Sequence, residues 1–311
     1  MKYDVIIVGA GIAGLTAAIY VRRAEKSVLV LEGKVPGGQI INTLAIENWP
    51  GDMGVSGMDL MQKIQKQAVE LGVKVELGEV EGIVRLEDGF RVVTEDDEYD
   101  AGAVILAVGV EDKKLGVARE DELVGRGVSY CATCDGALYK GKSVAVIGGG
   151  NTALYDALYL ADVAAKVYLV HRREEFRGDK VLVDRLRKRD NVVMVTPFTP
   201  EEFVGEDKIT ALKVKMADSD KVRAGDKYRF LEVDGVFVAI GKKPQTARFA
   251  ELVELDDGGY IVAGEDCKTS CPGVFVAGDC RTKQVRQLVT AAGDGAVASA
   301  GALDYLVEKT K

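Results

Sequence analysis

The stretch Cys131-Ala132-Thr133-Cys134-Asp135-Gly136 holds the residue types and spacing best fitted to chemistry in this sequence. Two thiols separated by two residues can close a small disulfide ring, and such pairs often stabilise one thiolate well below the free-cysteine pKa of about 8.5, which makes them redox-active. The carboxylate of Asp135 follows at once and can donate or accept a proton as a thiolate leaves, whereas the only histidine, His171, is far away in sequence. A glycine-rich turn begins shortly after this stretch and another opens the chain, so the dithiol lies between two candidate dinucleotide sites. This order predicts electrons arriving as hydride and leaving by thiol exchange.

The same cysteines have other readings. A CxxC is half of many zinc sites, and Cys267 with Cys271 could supply the rest. That second pair is spaced CxxxC, however, and runs into Pro272 and an apolar strand. A structural disulfide fits less well. The chain has five cysteines, an odd count, and its start, Met1-Lys2-Tyr3-Asp4, leads into a glycine turn rather than a cleavage site, so a reducing, cytoplasmic setting is expected. No metal is expected, and Cys267, Cys271 and Cys280 read as small core hydrophobes.

Composition narrows the classes further. The chain has 311 residues, long enough for two domains, and 47% apolar residues with 36 glycines fit an α/β architecture rich in strand-to-helix turns. A net charge of -8 leaves no basic footprint for nucleic acid. The longest apolar run, from Ala101 to Val110, is shorter than the ~20 residues needed to span a bilayer.

The elements that must position the dithiol follow a repeating pattern. Val5 to Val8 reads as a buried parallel strand, ending in Gly9-Ala10-Gly11-Ile12-Ala13-Gly14 and an Ala-rich helix. In such a motif Gly9 permits the tight turn, Gly11 lets the backbone approach a pyrophosphate, and Gly14 lets helix pack on strand. A second strand, Val28 to Leu31, ends at Glu32, where a carboxylate can bind a ribose diol and would repel a 2′-phosphate. Pro36-Gly37-Gly38-Gln39 and Glu47-Asn48-Trp49-Pro50-Gly51 are loops suited to running beside a flat ligand, although Trp49 could equally be a packed aromatic. Ser56 is a predicted helix cap before an apolar face of Leu60, Met61, Ile64, Ala68 and Leu71, with Gly72 at the end.

After the dithiol the pattern restarts. The strand Val144 to Ile147 leads into Gly148-Gly149-Gly150-Asn151-Thr152-Ala153, where Gly148, Gly150 and Ala153 fill a GxGxxA pattern. The next strand, Val167 to Val170, ends in His171-Arg172-Arg173, with Arg177 a turn later. A guanidinium cluster in place of an acid inverts the selection, because three arginines can bind a 2′-phosphate by charge-assisted hydrogen bonds. Arg185, Arg187, Lys188 and Arg189 read instead as the wet face of a helix whose core side is Val181, Leu182 and Leu186. The strand ends at Gly109 and Gly241 repeat as well, so two similar domains follow one another. The tail, with the strand Val274 to Ala277, Gly278-Asp279, Arg286-Gln287 and a last helix, is too short for a third domain and returns to complete the first. The expected fold is α/β, with two Rossmann-like three-layer domains, the second (113–244) inserted in the first (1–112 and 245–311).

Taken in order, GAGIAG, GGQI, ENWPGD, CATCDG, GGGNTA, HRREEFR and GVFVAGDCRTKQVRQ make the chain resemble the low-molecular-weight thioredoxin reductases over nearly its whole length. The resemblance implies FAD at Gly9, Gly11, Gly14 and Glu32, with Gly38, Gln39 and Asn48 alongside, Asp279 near the ribityl chain, and Arg286 and Gln287 near the isoalloxazine. It implies NADPH at Gly148, Gly150, Asn151 and Thr152, with Arg172, Arg173 and Arg177 on its 2′-phosphate. It gives Cys134 the side facing the flavin, Cys131 the exchange with thioredoxin and Asp135 the role of acid, in a homodimer. Departures are the cysteines at 267, 271 and 280, where the family usually has apolar residues, and Val108, where a threonine is common. The sequence leaves open a related flavin disulfide reductase with a glutaredoxin-like or peroxiredoxin-linked acceptor, and a non-catalytic FAD- or zinc-binding module.

Overall fold

Val5, Ile6, Ile7 and Val8 are all buried, and they face two ways: Val5 and Ile7 join one apolar cluster, Ile6 and Val8 another. Successive side chains of a strand point to opposite faces, so a strand covered on both sides must be apolar throughout. The computed structural model, which describes residues 2–43, 46–217 and 227–309, forms two units. The first comprises Met1–Glu111 and Lys243–Lys311, the second Asp112–Lys242.

In the first unit β1 (Lys2–Val8), α1 (Ile12–Arg23) and β2 (Val28–Glu32) are followed by α2 (Gly57–Glu70), β3 (Lys74–Leu77), β4 (Val80–Leu86), β5 (Gly89–Thr94) and β6 (Glu98–Leu106). Strands β3, β2, β1 and β6 lie parallel in that order. The β4–β5 hairpin adds antiparallel strands beyond β6. Helix α2 starts where the sequence predicts, with the Ser56 hydroxyl accepting the Asp59 N–H at 3.1 Å. Leu60, Met61 and Ala68 are buried, but Leu71 is 37% exposed, because the helix ends before it.

The chain leaves through β7 (Val110–Asp112) and builds the second unit from β8 (Val128–Ser129), α3 (Ala132–Asp135), β9 (Ser143–Ile147), α4 (Asn151–Val163), β10 (Lys166–Val170), α5 (Lys180–Arg187) and β11 (Val192–Val195). Then come β12 (Phe198–Val204), β13 (Ala211–Met216) and β14 (Tyr228–Glu232), an antiparallel sheet, and β15 (Gly235–Val238). The parallel sheet runs β11-β10-β9-β15-β8. In β9, Val144 and Val146 pack with Leu154, Ala157 and Leu160 of α4, whereas Ala145 and Ile147 pack with Phe198, Leu212 and Val214 of the antiparallel sheet. Helices therefore cover one face and the small sheet covers the other. In α5, Val181 is 65% exposed and Val183 is buried in its place beside Leu182 and Leu186, which corrects the expected core side. Three successive apolar residues leave the buried face of so short a helix undetermined until it docks.

The chain returns through β16 (Lys242–Pro244), lays β17 (Val274–Val276) parallel to the end of β6, and finishes in α6 (Leu288–Lys309). Helix α6 packs tightly on α1: a Cβ at Gly295 would come within 2.3 Å of the Ala13 carbonyl oxygen. Both units are Rossmann-like, and the second interrupts the first. Cys267, Cys271 and Cys280 are free and buried in the first unit. Burial pushes the Cys267 thiol up to about 11 and the Cys280 thiol up to about 12, so they pack as neutral hydrophobes. Trp49 packs partly buried against the α1 side of the core. Among the described residues no helix is long and apolar enough to cross a membrane.

Candidate active site

The dithiol sits where β8 gives way to α3, a single helical turn with Cys131 at its cap. The Cys131 carbonyl accepts the N–H groups of Cys134 and Asp135 at 3.3 and 3.1 Å. This turn brings the Cα atoms of Cys131 and Cys134 to 5.3 Å, and the two residues form a disulfide. Gly136 then lets the segment lie against α4, because a Cβ there would come within 2.6 Å of the Tyr159 ring. Asp135 is half-buried, and burial pushes its carboxyl above the usual range, while a 2.6 Å hydrogen bond from the Ser129 hydroxyl works the other way. A carboxyl so placed can hold and release a proton closer to neutral pH than a solvated one.

The first glycine turn joins β1 to α1. Gly9 has a φ of 108°, and a Cβ there would lie 2.4 Å from the Ala107 carbonyl oxygen. At Gly14 a Cβ would come within 1.9 Å of the Gly9 carbonyl oxygen. At Gly11, by contrast, a Cβ would meet nothing within 4 Å, and no side chain caps the helix. The first N–H groups of α1 are thus presented beside open backbone, which suits an anionic diphosphate. Glu32 closes one side, its carboxylate accepting Ala10 N–H at 2.7 Å and Lys34 N–H at 3.0 Å. Gly37 N–H donates to the Ala10 carbonyl at 2.9 Å, and a Cβ on Gly38 would reach the Gly11 Cα at 3.6 Å. Gln39 donates to the Val110 carbonyl at 2.6 Å and Asn48 to the Gln287 side chain at 3.1 Å, so residues far apart in sequence converge on this edge. Arg286 spans the carbonyls of Asp279, Arg281 and Lys283 and lies 4.2 Å over the Tyr260 ring. It thereby fixes the loop that carries Asp279.

The second turn, between β9 and α4, repeats the first. A Cβ at Gly148 would stand 2.4 Å from the Ala239 carbonyl oxygen, the same distance as at Gly9, and at Gly150 it would meet nothing within 4 Å. Again no side chain caps the helix. The end of β10 differs. His171 is buried and stacks on Phe176 with ring centroids 5.2 Å apart. Its Nε2 is buried without a hydrogen-bond partner among the described residues. Burial lowers its pKa first, a hydrogen bond with the Glu175 backbone works the other way, and the charges of Arg177, Arg172 and Arg173 lower it further. All three arginines are exposed. The loop is tied down by Arg177 and Gly178 N–H donating to the Gly149 carbonyl, and by Asn151, which exchanges two hydrogen bonds with Asp179. Thr152 is exposed on the first turn of α4.

Two features had no sequence signal. Ser129 is 4% exposed, and its Oγ both donates to Asp135 and accepts the Cys131 N–H at 3.1 Å; only its place two residues before Cys131 hints at this. In the first unit, Asp294 of α6 accepts from Gly278 N–H at 3.0 Å, from Arg281 at 2.9 and 2.8 Å and from Lys283 at 2.8 Å. Burial opposes ionisation of Asp294, but these two cations hold its carboxyl below the usual range. The cluster pins the Gly278–Asp279 turn. Among the described residues no group of three or more His, Cys, Asp or Glu side chains is placed to hold a metal ion.

The sequence pattern of the pyridine nucleotide-disulphide oxidoreductases matches residues 3–295. A thioredoxin reductase of Listeria monocytogenes is 44% identical over 311 residues, covering 98% of this chain and 94% of the relative. That of Bacillus subtilis is 40% identical over 306 residues, covering 98% of this chain and 95% of the relative. The crystal structure of thioredoxin reductase from Streptococcus pyogenes superposes with a TM-score of 0.93 at 38% identity, over 99% of both chains.

Proposed function

The chain belongs to the pyridine nucleotide-disulphide oxidoreductases, within them to the thioredoxin reductases, and on that footing we propose how its residues divide the work of reducing the thioredoxin disulfide. The observation that carries the assignment is the Cys131–Cys134 disulfide beside the half-buried Asp135, in the same unit as the second glycine turn. FAD and NADPH supply the hydride chemistry that brings two electrons to this disulfide.

The unit of Met1–Glu111 and Lys243–Lys311 is the FAD domain in this reading. The open amides after Gly11 bind the diphosphate, with Gly9 and Gly14 allowing the close packing and Glu32 holding ribose hydroxyls. Gly38, Gln39, Asn48, Asp279, Arg286 and Gln287 form the remaining edge. The inserted unit is the NADPH domain, with Gly148 and Gly150 at the turn, Asn151 and Thr152 contributing backbone N–H groups, and Arg172, Arg173 and Arg177 gripping the 2′-phosphate.

Reduction of the Cys131–Cys134 bond consumes two electrons and two protons and leaves two thiols. Cys131 loses its proton to solvent and, as thiolate, attacks one sulfur of thioredoxin's disulfide, and the other thioredoxin sulfur leaves as a thiolate that takes up a proton from solvent. Cys134 gives its proton to Asp135 and attacks Cys131 Sγ, which re-forms the disulfide. The thioredoxin thiolate released in this step takes the proton from Asp135. Three unpaired buried thiols fit a reducing compartment such as the cytoplasm, and a homodimer completes the reading; sedimentation would measure it. The test is NADPH oxidation with and without thioredoxin, with NADH as control. Cys134→Ser should abolish thioredoxin reduction and keep flavin bleaching by NADPH, and loss of both would contradict the division of roles.

A further inference from the structure

Ser129 occupies an unusual position among the residues of the second unit. Strand β8 is only two residues long, yet it is locked into the parallel sheet by pairing with Val236 and Phe237 of β15. Ser129 is therefore carried by the sheet, whereas Cys131, Cys134 and Asp135 belong to the helical turn that follows. Its hydroxyl is buried and reaches both. It donates to Asp135 Oδ2 at 2.6 Å and accepts the Cys131 N–H at 3.1 Å.

A hydroxyl has one proton to give. Donation to Oδ2 at 2.6 Å uses that proton in preference to the Cys131 carbonyl oxygen, which lies 3.4 Å away, and acceptance from the Cys131 amide polarises the O–H toward the carboxylate. The short distance is that of a hydrogen bond to a charged acceptor. Oδ2 is thereby committed as an acceptor, and a proton taken up by Asp135 is directed to Oδ1. We propose that Ser129 is a positioning residue for the thiol exchange, holding Asp135 in register with the Cys131 amide and reserving Oδ1 for the proton that passes from Cys134 to the leaving thiolate.

The proposal rests on Asp135 being the acid of the proposed function, and it adds no redox partner. In the step it serves, the Cys134 thiol proton moves to Asp135, the Cys134 sulfur bonds to Cys131 Sγ, and the bond from Cys131 to the partner sulfur breaks. The partner thiolate receives the proton, and two electrons remain with the partner. Burial already pushes the Asp135 carboxyl up, and the Ser129 bond restrains it, so removal of the hydroxyl has a defined direction.

The experiment compares wild type, Ser129→Ala, Ser129→Thr and Asp135→Asn holoenzymes, each checked for flavin content and far-ultraviolet circular dichroism. Two pH profiles are measured: kcat for thioredoxin reduction, and the rate at which chemically reduced enzyme is alkylated by iodoacetamide. Ser129→Ala should lower kcat about tenfold and move the Asp135 limb upward by about one pH unit. Ser129→Thr, which keeps the hydroxyl, should restore most of the limb. In an Asp135→Asn background, Ser129→Ala should add little, because the two side chains act as one unit. An unshifted profile in Ser129→Ala, or an undiminished effect without Asp135, would overturn the proposal for Ser129 alone. Wild-type kcat and profile in Asp135→Asn would overturn it together with the assignment of the acid.

Discussion

The turn after β1 and the turn after β9 present the same backbone with different side chains at the next strand end. In both, the first glycine lies against the carbonyl that ends a neighbouring strand, with the same 2.4 Å separation for an added Cβ, and the second faces open space. The third position already departs: Gly14 has no room for a methyl group, whereas Ala153 is accommodated at full burial. The strand ends then diverge completely. Glu32 turns back to brace the Ala10 amide, while His171 is buried and is followed by the exposed Arg172, Arg173 and Arg177. In the function proposed above, the backbone cradle would provide affinity for a diphosphate, and the strand-end charge would select between a bare ribose and a phosphorylated one.

The comparison breaks most sharply at its third position. Gly14→Ala should cost about 4 kcal/mol or more, because the methyl group would meet a backbone carbonyl that cannot swing away. The reverse change, Ala153→Gly, should cost only about 1 kcal/mol; chemical denaturation of both variants measures the contrast. Asp294→Asn comes next. It leaves Arg281 and Lys283 buried without their carboxylate, and a loss of about 3–5 kcal/mol is expected at pH 7. The folded-state pKa of Asp294 is depressed, so its contribution is complete above the ordinary carboxylate range and fades as the pH falls below it. The gap between variant and wild type in a urea titration should accordingly narrow toward pH 3.

Removing the arginines sharpens the comparison without threatening the fold. Replacing Arg172, Arg173 and Arg177 by alanine should raise KM for NADPH about 100-fold and leave NADH unchanged. The wild-type preference should weaken at high salt, since these side chains are exposed. The smallest effect is expected at Asp156 of α4, whose carboxyl burial pushes up to about 6 against the pull of Lys242; α1 carries no acid at all. A raised pKa means that the fold favours the protonated form, so stability is greatest below about pH 4 and falls through about pH 6. Asp156→Asn should raise Tm by about 2 °C at pH 8 and by nearly nothing at pH 4, as followed by calorimetry.

Much of this was legible in the sequence, for a physical reason. Strands covered on both faces are apolar throughout, and both glycine turns are forced by carbonyl contacts that no other residue allows, so β1, β9 and their turns are written in residue type. The dithiol is equally local. The Asp294 cluster is not, because Arg281, Lys283 and Asp294 read as solvated charges until α6 folds back over the loop. Ser129 was hidden for a related reason: a serine two residues before a cysteine is unremarkable until β8 joins the sheet. Val181 reads as core in the sequence because three apolar residues in a row offer two equally good faces. The antiparallel sheet is signalled only at β13, where Leu212 and Val214 alternate with Lys213 and Lys215; Pro200, Glu201 and Glu202 interrupt the pattern in β12.

The most direct test of the central claim, that strand-end charge on a shared cradle assigns the two nucleotides, is a calorimetric titration of the holoenzyme with 2′,5′-ADP and with 5′-AMP. Tighter binding of 2′,5′-ADP by about 30-fold or more, lost when Arg172, Arg173 and Arg177 are replaced by alanine, is the expected result. Equal affinity for the two ligands in the wild-type enzyme would contradict it.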